Sequence, residues 1–188
     1  MTEQSAKKLH KQGVDLFRKG KTPAALEKLK EALEQSRDDS QEIAEIYNDL
    51  GVVYKELKDY PAAYAALNEA MSRFVALDSE KGQAQTLGNR AAVYEAEGLM
   101  EEAVETYKQS AEMLEEVGES EMAMYVWQAV SRLRLKQKQY IAAIGAYEEG
   151  VDRMPDGSLK KKFLGRLLQM PGSMMGGLGG GKPEDDES

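Results

Sequence analysis

Four alanines, Ala25, Ala63, Ala103 and Ala143, recur at intervals of 38, 40 and 40 residues. Around them three segments read alike: TPAALEKLKEAL at 22–33, YPAAYAALNEAM at 60–71 and YIAAIGAYEEGV at 140–151. A fourth, MEEAVETYKQSA at 100–111, fits between them. Self-similarity at near-constant spacing in this range marks a solenoid of supersecondary units, because one unit cannot bury its apolar face alone. A chain of 188 residues has room for about four such units.

Each alanine segment is preceded by a second helical stretch with its own matching positions: Gly13 and Leu16, Gly51 and Tyr54, Ala91 and Tyr94, Ser131 and Arg134. Glycine inside a helix costs roughly 1 kcal/mol relative to alanine, so Gly13 and Gly51 should be compensated by a neighbouring helix lying against the backbone. Each unit is then a helix A over about 6–19, 43–57, 83–97 and 122–137, followed by a helix B over about 23–36, 61–77, 101–117 and 141–153. The turns contain Gly20, Lys58-Asp59, Gly98 and Gln139, and Pro23 and Pro61 stand near helix starts, where a missing N–H does no harm.

The stretches GVDLFRKGKTPAALEKLKEAL (13–33), NDLGVVYKELKDYPAAYAALNEA (48–70) and GNRAAVYEAEGLMEEAVETYKQSA (88–111) resemble the tetratricopeptide repeat (TPR) family. The fourth, WQAVSRLRLKQKQYIAAIGAYEEGVDRMP (127–155), sets Trp127 and Pro155 where that family has its tryptophan and terminating proline. The resemblance implies an all-α fold: a right-handed superhelical solenoid of antiparallel helical hairpins. The repeats would span about 6–39, 44–77, 84–117 and 124–157 within a domain of residues 1–157. The usual TPR period is 34 residues, so four to six extra residues separate helix B from the next helix A. They fall in SRDDSQE (36–42), ALDSEKG (76–82) and EEVGESE (115–121), and either lengthen helices or enlarge loops. This long-period form is similar to the TPRs of polarity scaffolds and kinesin light chains. In repeat four, Ser131 and Arg134 replace the usual small and aromatic residues.

Beyond the repeats, SLKKKFLGRLLQM (158–170) places Leu159, Phe163 and Leu167 on one face and Lys160, Lys161, Lys162 and Arg166 opposite, which predicts a capping helix over the last repeat. The same basic amphipathic pattern suits an anionic membrane surface. Residues 171–188, rich in Gly and Met with an acidic end, cannot bury a core and are expected to be disordered. Their composition is similar to tails of some chaperone-associated TPR proteins, so client handling through the tail is an alternative role.

Charge narrows the function classes. The net charge is -8, and residues 41–120 hold 17 acidic against 6 basic side chains. Affinity for phosphate rests on clustered Lys and Arg, so nucleic acid is not an expected partner. With no cysteine and one histidine, His10, the chain offers no thiolate, no triad and no metal-ligand spacing. Adjacent carboxylates such as Glu101-Glu102 point about 100° apart on a helix and form solvated faces, and the glycine runs near 176–181 lack the context of a phosphate loop. No catalytic residue, metal or cofactor is expected. No signal-peptide pattern opens the chain and no 18-residue apolar window occurs, so a cytoplasmic protein with no membrane partner is expected.

In the TPR family the inner faces of the A helices line a groove that receives a peptide or partner helix. Carried over residue by residue, that groove would present Lys7, His10, Val14, Phe17 and Arg18 from repeat one, and Glu45, Asn48, Val52 and Lys55 from repeat two. Gln85, Asn89, Ala92 and Glu95 would come from repeat three, and Tyr125, Gln128, Arg132 and Lys136 from repeat four. Asn48, Asn89, Tyr125 and Arg132 together suit an acidic-tipped ligand. The set of two lysines, two asparagines and an arginine by which one TPR subclass clamps chaperone C-termini is missing, since His10, Val14, Asp49, Tyr125 and Ala129 replace its members. The expected function is a non-enzymatic adaptor or assembly scaffold for another protein or a peptide whose identity the sequence leaves open.

Overall fold

The structure, a computed structural model, describes residues 3–36 and 41–152. These form eight α-helices and no strand: α1 Glu3–Arg18, α2 Thr22–Gln35, α3 Gln41–Glu56, α4 Tyr60–Ala76, α5 Glu80–Glu97, α6 Met100–Glu116, α7 Ser120–Lys136 and α8 Tyr140–Asp152. Successive pairs make four antiparallel hairpins, each A helix packing most extensively on its own B helix. The helices begin one to three residues before their expected starts. The segments 158–170 and 171–188, and Pro155, lie outside the described residues.

One turn geometry serves the described junctions. Left-handed residues stand at Gly20, Lys58, Gly98 and Lys138 between A and B helices, and at Asp78 and Gly118 between B and A helices. After each, a backbone N–H reaches back five residues, as in Asp59 N to Tyr54 O at 3.0 Å and Ser79 N to Phe74 O at 2.9 Å. This is the bond of a Schellman ending, which satisfies the last helical carbonyls. Because the junctions at 78 and 118 are as tight as the turns inside hairpins, the extra residues of the long period there go into longer helices instead of longer loops. Caps then fix the new starts: Asp59 Oδ1 accepts from Ala62 N, and Ser79 Oγ accepts from Gly82 N.

The repeated small residues sit at the helix crossings. Ala25, Ala63 and Ala103 are fully buried and Ala143 is nearly so. A Cβ on Gly13 would fall 2.8 Å from Leu29 Cγ, and one on Gly51 would fall 2.5 Å from Leu67 Cγ, so each A helix lies against the leucine of its own B helix. Gly82, read from sequence as part of an inter-repeat segment, sets α5 just as close to Phe74 of the preceding B helix, α4. Repeat four closes by different chemistry. Ser131 Oγ donates to Ala143 O at 2.7 Å, and Arg134 reaches Glu101 of the preceding repeat at 2.8 Å. The core is a series of apolar clusters along the stack, the largest among the described residues including Trp127.

Candidate interaction groove

Direct contacts between like helices are A on A, α1 with α3 and α3 with α5, which puts the A helices on the inner side of the stack's curve. All seventeen groove residues expected from the sequence are at least partly accessible. Their surroundings differ sharply along the groove.

In the first two repeats the groove is closed by its own side chains. His10 Nε2 lies 2.7 Å from Asp49 Oδ2, joining α1 to α3. Burial works against a charged His10, yet the hydrogen bond it donates to Asp49, the Asp49 charge, and the charges of Glu45 and Glu42 outweigh it and raise the imidazole above its usual 6.5. Because the folded-state value is raised, the pair stabilises the fold fully below pH 6.5 and loses this contribution as pH climbs through the raised value. The melting difference between wild type and His10→Gln should therefore shrink from pH 6 to pH 8, by no more than about 1 kcal/mol. A difference constant across that range would show that the pair carries no proton-linked stability. Phe17 packs against the first core cluster, while Lys7 and Arg18 are exposed and Val14, Val52 and Lys55 half-buried.

Between repeats three and four the groove opens. A cleft of about 530 Å³ lies between α5 and α7, with α6 as its floor. Asn48 and Asp49 reach it from α3, and Gln85, Gly88, Asn89 and Ala92 form the α5 wall. Tyr107, Ser110 and Leu114 make the floor, and Met122, Tyr125, Val126 and Ala129 the α7 wall. Five of the expected residues are thus brought together: Asn48, Gln85, Asn89, Ala92 and Tyr125. Asn89 Nδ2 donates to Asn48 Oδ1 at 3.0 Å, which ties the two amides across the repeats. Ser110 Oγ donates to Ala84 O, so the floor hydroxyl is spent on the backbone. Tyr125 is 62% exposed at the rim.

Arg132, expected to meet a ligand carboxylate, is engaged within the chain. It grips Glu95 with two bonds of 2.5 and 2.8 Å, and Lys136 Nζ adds a third at 3.1 Å. The Arg132 guanidinium, followed by Lys136, holds the Glu95 carboxyl below the usual range despite its partial burial. Burial and the Glu95 charge push the nearby Tyr107 phenol up to about 12, which keeps it neutral. Glu95, Arg132 and Lys136 therefore form a brace beside the cleft, and Glu45 and Gln128 also lie outside its lining.

The α6 floor was missed from sequence because the family groove was carried over on A helices alone. Its signal was present in the small pair Gly88 and Ser110: a Cβ on Gly88 would come 3.1 Å from Ser110 Oγ.

Residues 3–166 match the model of the family described as soluble NSF attachment protein, SNAP. Among solved structures, aspartyl phosphate phosphatase F from Bacillus subtilis is similar at 15% identity and a TM-score of 0.77, over 93% of this chain and 48% of that one. BtubC from P. vanneervenii is similar at 17% identity and a TM-score of 0.63, over 97% of this chain and 68% of that one. A tetratricopeptide repeat protein from Parabacteroides merdae is similar at 22% identity and a TM-score of 0.50, over 92% and 61%. The chain spans about half the length of the Bacillus subtilis protein. No curated protein matches it in sequence.

Proposed function

The chain belongs to the soluble NSF attachment protein family, with the TPR-like helical repeat its sequence shows, and from that premise we propose that it is a non-enzymatic adaptor or assembly scaffold. It binds a peptide or partner helix of another protein along its concave face. The observation that carries this reading is the cleft between α5 and α7: the largely apolar α7 wall faces the amides of Asn48, Gln85 and Asn89, and amides can both donate to and accept from a peptide backbone. The family's name, which describes attachment to another protein, supports a binding role. At 15% identity the likeness to the Bacillus subtilis phosphatase reaches the fold alone.

Among the described residues no group of His, Cys, Asp and Glu could hold a metal ion, and no helix is long and apolar enough to cross a membrane. A cytoplasmic location is proposed with the adaptor role. The domain plan of four repeats through 157, a capping helix at 158–170 and a tail from 171 belongs to the same proposal.

Filling the cleft tests it. Ala129 is half-buried on the α7 wall, so Ala129→Trp should occupy the space while leaving helicity intact. Recovery of the natural partner from the native organism's extract should fall at least about tenfold, the equivalent of roughly 1.4 kcal/mol. Undiminished recovery by a folded Ala129→Trp would place binding elsewhere.

A further inference from the structure

The cleft is lined by neutral amides, small residues and apolar side chains, and one charged group: the carboxylate of Asp49. One of its oxygens meets His10 at 2.7 Å, and its side chain is 36% exposed, so the carboxylate keeps accessible surface towards the groove. A carboxylate has about four lone-pair sites, so a second donor can join the first. Glu45, one helical turn earlier on the same face of α3, deepens the negative potential, as does Glu42, and both act on His10 across the junction. The cations Arg132 and Lys136 are drawn onto Glu95, outside the cleft lining. On a larger scale, residues 41–120 carry 17 acidic against 6 basic side chains, a charge balance that attracts cationic partners and repels acidic ones.

We propose that the cleft selects a partner segment carrying a lysine or arginine beside an apolar side chain. The cation docks on Asp49. The apolar group packs on Met122 and Val126, and the segment's backbone lies along the amides of Asn89 and Gln85. This rests on the reading of the cleft as the binding site, and it reverses the acidic-tipped ligand expected from Arg132. A carboxylate placed beside Asp49 would meet like charge with no cation in the cleft lining to offset it, a repulsion that the paired His10 weakens where its imidazole is protonated.

Capped peptides of about nine residues, each with one leucine and a Lys, Gln or Glu at every spacing from one to four residues, provide the probe. Binding to the full chain is read by fluorescence anisotropy. At the best spacing the Lys peptide should bind at least about tenfold tighter than the Glu peptide, with Gln between them. Asp49→Asn should bring the three within about twofold, Asp49→Glu should restore the order, and His10→Gln should preserve it. Equal binding of Lys and Glu peptides to the wild type overturns the charge selection but leaves the groove reading standing. Loss of the order in His10→Gln as complete as in Asp49→Asn also overturns it, because the effect would then belong to the α1–α3 junction. Binding by none of the peptides counts against this selection and the groove together. The wild-type comparison decides the matter even if Asp49→Asn proves unstable.

Discussion

Trp127→Ala is expected to destabilise the protein by about 3–5 kcal/mol, the range for deleting a large aromatic side chain from a core. Trp127 is 6% exposed and sits in the largest apolar cluster, among Val104 and Tyr107 of α6, Val130 and Leu133 of α7 and Ala146 of α8. Its backbone neighbourhood is equally close: a Cβ on Gly150 would come 3.0 Å from Trp127 Cβ, so α8 cannot slide far into the space left behind. The indole Nε1 also donates to Glu115 Oε1 at 2.7 Å, a bond the alanine cannot replace. Because each repeat leans only on its neighbours, the loss should loosen repeats three and four before the first two. The chain has a single tryptophan, so urea denaturation must be followed by circular dichroism instead of fluorescence. A loss under about 1 kcal/mol would mean that the indole is dispensable to the seam between α6, α7 and α8.

Leu67→Ala should cost about 2–5 kcal/mol, and adding Gly51→Ala should return part of it. Leu67 is fully buried and lies where a Gly51 Cβ would need to be, 2.5 Å from the leucine Cγ. Gly51→Ala alone therefore forces α3 away from α4 and destabilises by overpacking, although alanine is the better helix former by roughly 1 kcal/mol. In the double variant the clash is gone and the new methyl enters the cavity, so the two costs should fail to add by about 0.5–3 kcal/mol. Denaturation midpoints of the four proteins give the coupling. Additive costs would show that the close approach of α3 to α4 does not depend on this pair.

Much of the fold was legible because the chain repeats itself. The alanine spacing of 38, 40 and 40 residues is also the spacing of the left-handed residues 20, 58, 98 and 138, so a pattern in side-chain size reported a pattern in backbone turns. Gly13 and Gly51 were readable because a helix-interior glycine needs a compensating neighbour. Gly82 was not, since its segment looked like linker until α5 was seen to begin at Glu80. Lys58 and Lys138 adopt left-handed conformations that lysine does not advertise, whereas Asp78 is of a type that visits them more often. At the groove, the residues read from the A helices are at least partly accessible, and five of them line one cleft. Which polar groups are already spent on one another depends on rotamers and on distances between repeats. For that reason Asn48 with Asn89, His10 with Asp49, and Arg132 with Glu95 were paired only in three dimensions. The opening itself comes from α5 and α7 standing apart over α6, a curvature that no single repeat encodes.

The absence of cysteine from the sequence makes site-directed photo-crosslinking the most direct test of where the partner lies. Single cysteines at Gln85 and Tyr125, on opposite walls of the cleft, carry the reagent inside the groove. Single cysteines at the exposed Val75 and Ile141, neither of which lines the cleft, carry it elsewhere on the surface. After irradiation with the natural partner, adducts should form from positions 85 and 125, fade in the Ala129→Trp background, and stay at background level from positions 75 and 141. Adducts from 75 or 141 with none from 85 and 125 would contradict a concave binding site.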